Sequence, residues 1–230
     1  LDASGVTVVT AKLTGQFYAG TLAMSADGQT LYVVDPNFPE NGGGIYPIRI
    51  GCDDTLSEQP RLFETKSAEN FFLTPNGDAV VAARGALGSA QTAPAHRLTL
   101  APPEAKTSVD LFGDDDAILS WATLTRNGRH LLVGDNSAFS GVPNRVGQAS
   151  LDGGSLVAAA PISGIEDPYS IAASPFDDAA IVTSGFGDGV FVLDYAPNGQ
   201  VPFTLRGELP YVGSGPQLPG ALAMVERGSL

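Results

Sequence analysis

Apolar residues along this chain fall in short runs broken by Gly, Pro, Asp and Asn, and no stretch sustains a helical period. One arrangement recurs: a short apolar run, a hydroxyl residue, a tight turn, then a second apolar run. It appears as Leu22-Ala23-Met24-Ser25-Ala26-Asp27-Gly28 before Leu31–Val34, and as Phe71-Phe72-Leu73-Thr74-Pro75-Asn76-Gly77 before Ala79–Ala82. It returns as Ala122-Thr123-Leu124-Thr125-Arg126-Asn127-Gly128 before Leu131–Val133, and as Ile171-Ala172-Ala173-Ser174-Pro175-Phe176-Asp177 before Ala180–Val182. A fifth copy, Leu222–Gly228, begins near the last residue. The turn positions 28, 77, 128, 177 and 228 are separated by 49, 51, 49 and 51 residues, a spacing chance does not produce.

Each copy predicts a β-hairpin, because Asp-Gly and Asn-Gly accept the positive φ angles of tight hairpin turns. These two strands are A and B. Third runs at Gly44–Ile50, Ala95–Leu100, Arg145–Leu151 and Gly189–Asp194 predict strands C. Fourth runs at Arg61–Thr65, Thr107–Leu111, Ser155–Pro161 and Phe203–Glu208 predict strands D. A radially repeated four-stranded antiparallel unit is the propeller architecture. The expected fold is therefore an all-β propeller of four-stranded blades, about 50 residues each, with four full blades plus a partial one. A sandwich or barrel in two domains is the alternative, and it leaves the constant spacing unexplained.

The segment Ser25-Ala26-Asp27-Gly28-Gln29-Thr30-Leu31-Tyr32-Val33-Val34 is similar to the hairpin signature of bacterial YVTN-type and lactonase-type propellers. Thr74-Pro75-Asn76-Gly77 and Ser174-Pro175-Phe176-Asp177 are weaker versions. The resemblance implies a fold, which propellers of many functions share. The WD dipeptide and the paired glycines of kelch repeats are absent.

A single propeller domain over 1–230 divides into blades near 21–69, 70–119, 120–169 and 170–219, with a partial blade from 1–20 and 220–230. Leu1-Asp2 followed by Val6–Leu13 matches Leu193-Asp194 followed by Phe203–Leu209, so the chain is expected to open on a strand D and close on a strand A. Two readings follow: a five-bladed ring with one incomplete blade, or part of a six- to eight-bladed propeller. The second is favoured, because open sheet edges invite aggregation.

Composition narrows the function. Apolar residues at 43% and charged residues at 16% allow a substantial core. The net charge of −13, from 25 acidic and 12 basic residues, argues against nucleic acid and against anionic membrane surfaces. No apolar run is long enough for a membrane-inserted helix. The sole cysteine, Cys52, excludes an internal disulfide and is expected as a half-buried free thiol. The first residues resemble a trimmed chain, and the low charge density fits an extracellular or periplasmic location.

Successive antiparallel strands put the D→A and B→C connections on one face of the ring and the A→B and C→D turns on the other. The first face is the expected ligand face. Asp35, Arg84, Asp135 and Ser184 occupy equivalent ends of strands B, and two acids around an arginine can hold a cation or a polar ligand. Asp35 and Asp135 also sit where Asp commonly stabilises a turn. The D→A connections supply Glu69, Asn70, Trp121 and Asp167 as further binding candidates; the tryptophan fits either the channel or a blade seam.

Asp35, Asp135 and Asp188, joined by Glu69, are candidate ligands for Ca2+ or another divalent cation. The acidic run Asp114-Asp115-Asp116 reads as a solvated turn. The two histidines, His96 at a strand C and His130 in an A–B hairpin, are not placed for a hydrolytic triad or a zinc site.

The expected function is a non-enzymatic binding or scaffold propeller that presents the D→A/B→C face to a protein, glycan or small ligand. The resemblance also implies an alternative, a metal-dependent lactonase-like hydrolase in which Arg84 orients the substrate. A third reading has strands from a second chain completing the propeller.

Overall fold

The computed structural model describes residues 20–35, 44–63, 68–83, 95–113, 119–135, 145–152, 154–176, 178–185, 189–196 and 202–210. Apart from Gly20, the expected partial blade from 1–20 and 220–230 lies outside the described residues, as do Asp114–Asp116.

Among the described residues, sixteen strands form four antiparallel sheets in simple meander order. Blade 1 holds β1 (Thr21–Met24), β2 (Thr30–Asp35), β3 (Gly44–Ile50) and β4 (Leu56–Glu58). Blade 2 holds β5 (Ala68–Leu73), β6 (Ala79–Ala83), β7 (Ala95–Thr99) and β8 (Ala105–Val109). Blade 3 holds β9 (Leu119–Leu124), β10 (His130–Asp135), β11 (Arg145–Asp152) and β12 (Ser155–Ser163). Blade 4 holds β13 (Pro168–Ala173), β14 (Ala179–Ser184), β15 (Gly189–Tyr195) and β16 (Phe203–Pro210). First strands touch their neighbours in order, β1 on β5, β5 on β9 and β9 on β13, while β8 meets β12 and β12 meets β16 at the outside.

The repeated turn explains itself chemically. Gly28, Gly77 and Gly128 have φ of 70°, 83° and 70°, and their amides donate to the carbonyls of Ser25, Thr74 and Thr125. The hydroxyl that recurs at this position closes the hairpin from inside. Thr30 N donates to Ser25 Oγ at 2.9 Å, and His130 N donates to Thr125 Oγ1 at 3.0 Å. The turn Asp27 and Asn127 accept from these hydroxyls and from the amides of Gln29 and Arg129. At Gly128 a Cβ would also stand 2.4 Å from Pro75 Cδ, so this turn packs against its equivalent in blade 2.

Blades 2 and 3 are apolar on both faces, because both faces meet other blades. The face toward the preceding blade is called leading, and the opposite one trailing. The seam between blades 1 and 2 buries Val34 and Ile45 against Phe71 and Val81. The next buries Val80 and Ala95 against Leu131 and Val133. The third buries Leu132 and Val146 against Ile171 and Phe191. Each of these Val, Leu, Ile and Phe side chains contributes about 1.5–3 kcal/mol on burial.

Polar side chains stitch the seams. Asn70 Oδ1 accepts from Ala122 N at 3.1 Å, and Thr123 Oγ1 from Ala173 N at 3.3 Å. Gln148 is fully buried. Its Oε1 accepts from Phe203 N at 2.9 Å, while its Nε2 donates to the carbonyls of Ala160 at 2.8 Å and Phe203 at 3.2 Å.

One strand departs from expectation. Strand D of blade 1 was expected at Arg61–Thr65, but β4 is Leu56–Glu58. Pro60 interrupts the ladder. After it, Leu62 N donates to Ile45 O at 3.0 Å and Phe63 O accepts from Ile45 N at 3.2 Å, so the apolar run returns to β3 without forming a regular strand. Phe63 packs into the seam with blade 2.

Replacing Gln148 with Leu strands buried backbone groups of Phe203 and Ala160. The urea unfolding midpoint should drop by the equivalent of about 3 kcal/mol. A loss under about 0.5 kcal/mol would show that the Gln148 bonds contribute nothing net.

Candidate functional site

The face carrying the B→C and D→A connections holds most of the residues singled out above. Asp35, Asp135 and Ser184 end β2, β10 and β14, and all three are buried. Arg84 and Asp188 lie outside the described residues, as does the side chain of Glu69. Register explains much of Asp135's setting. It pairs with Arg145 across β10 and β11, and Arg145 Nε donates to its Oδ2 at 2.9 Å. The guanidinium then stacks 4.7 Å above the Phe112 ring of blade 2. Phe112 reaches that place because Gly147 has no Cβ, which would stand 2.6 Å from its Cζ. The charge of Asp135 is thus balanced by a cation from its own blade.

Asn70, expected at the ligand face, is 5% exposed and spends its carbonyl on the Ala122 amide of blade 3. Trp121 lies beside that amide on β9 and is 38% exposed. Asp167 is buried with φ of 43°, and its carbonyl accepts from Gly185 N at 2.8 Å. A Cβ on Gly185 would fall 2.6 Å from Asp167 Oδ2, so glycine there makes room for the carboxylate. Beside Ser184, the hydroxyl of Thr183 is buried with no hydrogen-bond partner among the described residues.

No local sequence feature marks the bulges that enter this face. In blades 2, 3 and 4 the first strand slips register between Ala68 and Asn70, between Leu119 and Ala122, and between Pro168 and Ser170. Each slip leaves one extra residue on the first strand at the same mouth, and bulges re-aim side chains there.

Among the described residues no three His, Cys, Asp or Glu side chains gather to hold a metal ion. The histidines sit in the blade seams. His130 stacks with Tyr195 and Phe203, with ring centroids 5.1 and 5.9 Å away. His96 shares a 2.7 Å hydrogen bond with Ser108 Oγ, and burial, assisted by Lys106, pushes its pKa down to about 4. Cys52 is exposed rather than half-buried, at the β3–β4 turn.

Hollows among the described residues lie on the opposite face, where no sequence motif marks them. A cavity of about 510 Å³ is lined by the A→B turns of blades 1, 2 and 3, including Ser25, Tyr32, Thr74, Asn76 and Arg126. A groove of about 570 Å³ between blades 1 and 2 is lined by Arg49, Arg61, Gln59, Glu104 and prolines 47, 60 and 102. Burial, with the nearby Asp27 charge, raises the pKa of Tyr32, which borders both.

No family model and no curated protein matches this sequence. Solved structures do. A Lactobacillus plantarum protein superposes with a TM-score of 0.63 at 15% identity, covering 90% of this chain and 62% of that one. The periplasmic gluconolactonase PpgL of Pseudomonas aeruginosa gives 0.58 at 17%, covering 85% and 58%. The β-propeller domain of Cps50 (Swd1) from Myceliophteria thermophila gives 0.55 at 13%, covering 84% and 60%. The chain is a β-propeller. It spans about six-tenths of the length of these propellers, and identities this low carry the fold alone.

Within this propeller, Arg145→Met leaves the Asp135 carboxylate buried without its cation. Unfolding free energy near pH 7 should fall by about 3 kcal/mol. Adding Asp135→Asn should recover part of it; no loss in the single variant contradicts the pairing. For His96, the unfolded chain takes up a proton near pH 6.5 that the folded chain refuses until about 4. The unfolded state therefore binds more protons across that window, and stability falls as pH drops through it. The urea midpoint of the native protein should decline with pH more steeply than that of His96→Gln; parallel curves contradict it.

Proposed function

We propose that this propeller is a non-enzymatic, exported binding module that meets a protein or glycan partner with its B→C/D→A face. The observation that carries the reading is an asymmetry of connections. On the opposite face the A→B turns, 25–29, 74–78, 125–129 and 174–178, share one length. On the proposed face the B→C connections run 36–43, 84–94, 136–144 and 185–188, and the D→A connections 59–67, 110–118 and 164–167. Recognition favours long, divergent loops on a rigid scaffold. The three long B→C segments mix Asn, Ser, Gly and Pro with Phe38, Leu87 and Phe139, a composition of adaptable polar groups around apolar anchors. Asp35, Asn70, Trp121, Asp167 and Ser184 stand at the base of these loops, and Arg84, Glu69 and Asp188 belong to the same set by sequence position. Export rests on likeness to a periplasmic protein.

A lactonase-like hydrolase is the second reading, favoured by the gluconolactonase neighbour. It needs a divalent cation, Ca2+ or another, to polarise a carbonyl. Asp35, Asp188 and Glu69 are its remaining ligand candidates, since Asp135 already faces Arg145. Gluconolactone hydrolysis measured with CaCl2 and with EDTA separates the two readings. A binding module leaves the lactone at its uncatalysed rate in both; turnover that EDTA abolishes overturns the proposal in favour of the hydrolase.

A further inference from the structure

The seams among the described blades repeat one interface, so each serves as a control for the others. Cross-strand pairing sets Pro47 opposite Tyr32, Arg97 opposite Val80 and Gln148 opposite Leu132. Residues 47, 97 and 148 therefore hold one place on the trailing faces of blades 1, 2 and 3. Gln148 spans its seam and bonds to the backbone of Phe203 in blade 4. Arg97 spans the seam before it, and a Cβ on Gly154 of blade 3 would lie 3.2 Å from its Nη1. Pro47 has no arm to extend. The A→B turns repeat the contrast. A Cβ on Gly128 would strike Pro75 of the preceding turn, whereas one on Gly77 would meet nothing within 4 Å, because Ala26 stands in the place of that proline.

The groove of about 570 Å³ lies where blade 1 lacks that arm, and Tyr32 also borders the cavity beside Ala26. Its lining selects an occupant. Leu62, Leu100 and Pro60 give an apolar wall, flanked by the Tyr32 ring, which is fixed by its contact with Phe71 at a centroid distance of 5.8 Å. Arg49 and Arg61 set two guanidiniums against the one carboxylate of Glu104, a local excess of positive charge on a chain of −13. A Cβ on Gly44 would stand 2.6 Å from Arg61 Cδ, so glycine there lets the arginine stem lie across β3. Asp27, the acid near Arg49 and Tyr32, is spent on its own turn, where it accepts from Ser25 Oγ and Gln29 N. A hollow of this size suits a small molecule, and paired guanidiniums favour a carboxylate.

We propose that the groove between blades 1 and 2 binds a small monocarboxylate with an apolar, ring-sized body. The carboxylate meets Arg49 and Arg61, and the body lies along Leu62, Leu100 and the Tyr32 ring. The ligand thus takes the space that Arg97 and Gln148 fill in the other seams. The groove is on the face opposite the recognition loops and is independent of what they bind.

The test titrates the full chain with phenylacetate and follows backbone amide resonances by NMR. Those of Thr30, Tyr32, Leu62 and Leu100 should shift and saturate at millimolar concentration. Phenylacetamide, the same body without the charge, should leave them in place. Arg49→Gln, at an exposed position, should weaken phenylacetate binding about tenfold with an unchanged circular dichroism spectrum. Groove resonances that do not move with phenylacetate overturn the proposal. So does equal binding of phenylacetamide, or an Arg49→Gln affinity equal to that of the native chain.

Discussion

Blades 2 and 3 each have two faces that leave water, and neither blade can cover them alone. A four-stranded antiparallel sheet ordinarily buries one face and wets the other. In this chain the strands are apolar on both sides at their centres: within β6, for example, Val80 faces blade 3 while Val81 faces blade 1, and both are fully buried. That constraint forces blades to stack face to face. The repeat spacing, the short strands and the seams all follow from it.

Stacking creates a second requirement. The first strand of each sheet is an edge, and its outward amides lose water when the neighbour closes over them. The seam side chains answer this. Asn70 and Thr123, each on the preceding blade, accept from inner-strand amides of the next, and Gln148 does the same at the outer strand β16. Of the polar residues near the candidate face, Asn70 and Asp135 are therefore spent on the scaffold.

The hairpins were legible from sequence because their chemistry is local. A hydroxyl, an Asp or Asn and a glycine within a few residues close the turn by bonds that span two to five positions. Phase between turns then gave the blade count of the described region. What could not be read depends on partners far apart in the chain. Gln148 and Phe203 are separated by 55 positions, and nothing in either local sequence names the other. The Asp135–Arg145 pair required the β10–β11 register, and the Phe112 stack required the neighbouring blade. Strand D of blade 1 was misplaced because its apolar residues, Leu62 and Phe63, come after Pro60 rather than within the strand. The bulges at the mouth are differences of one residue between paired strands, invisible until both strands are aligned.

Native-state hydrogen exchange tests most directly whether seams, rather than isolated sheets, hold this molecule together. The amides of Ala122, Ala173 and Phe203 lie on edge strands but donate across seams. They should be protected to the same degree as the amides of the buried central strand β10 and open only with it. Exchange at the rate of solvent-exposed edge amides, while β10 stays protected, would contradict the account.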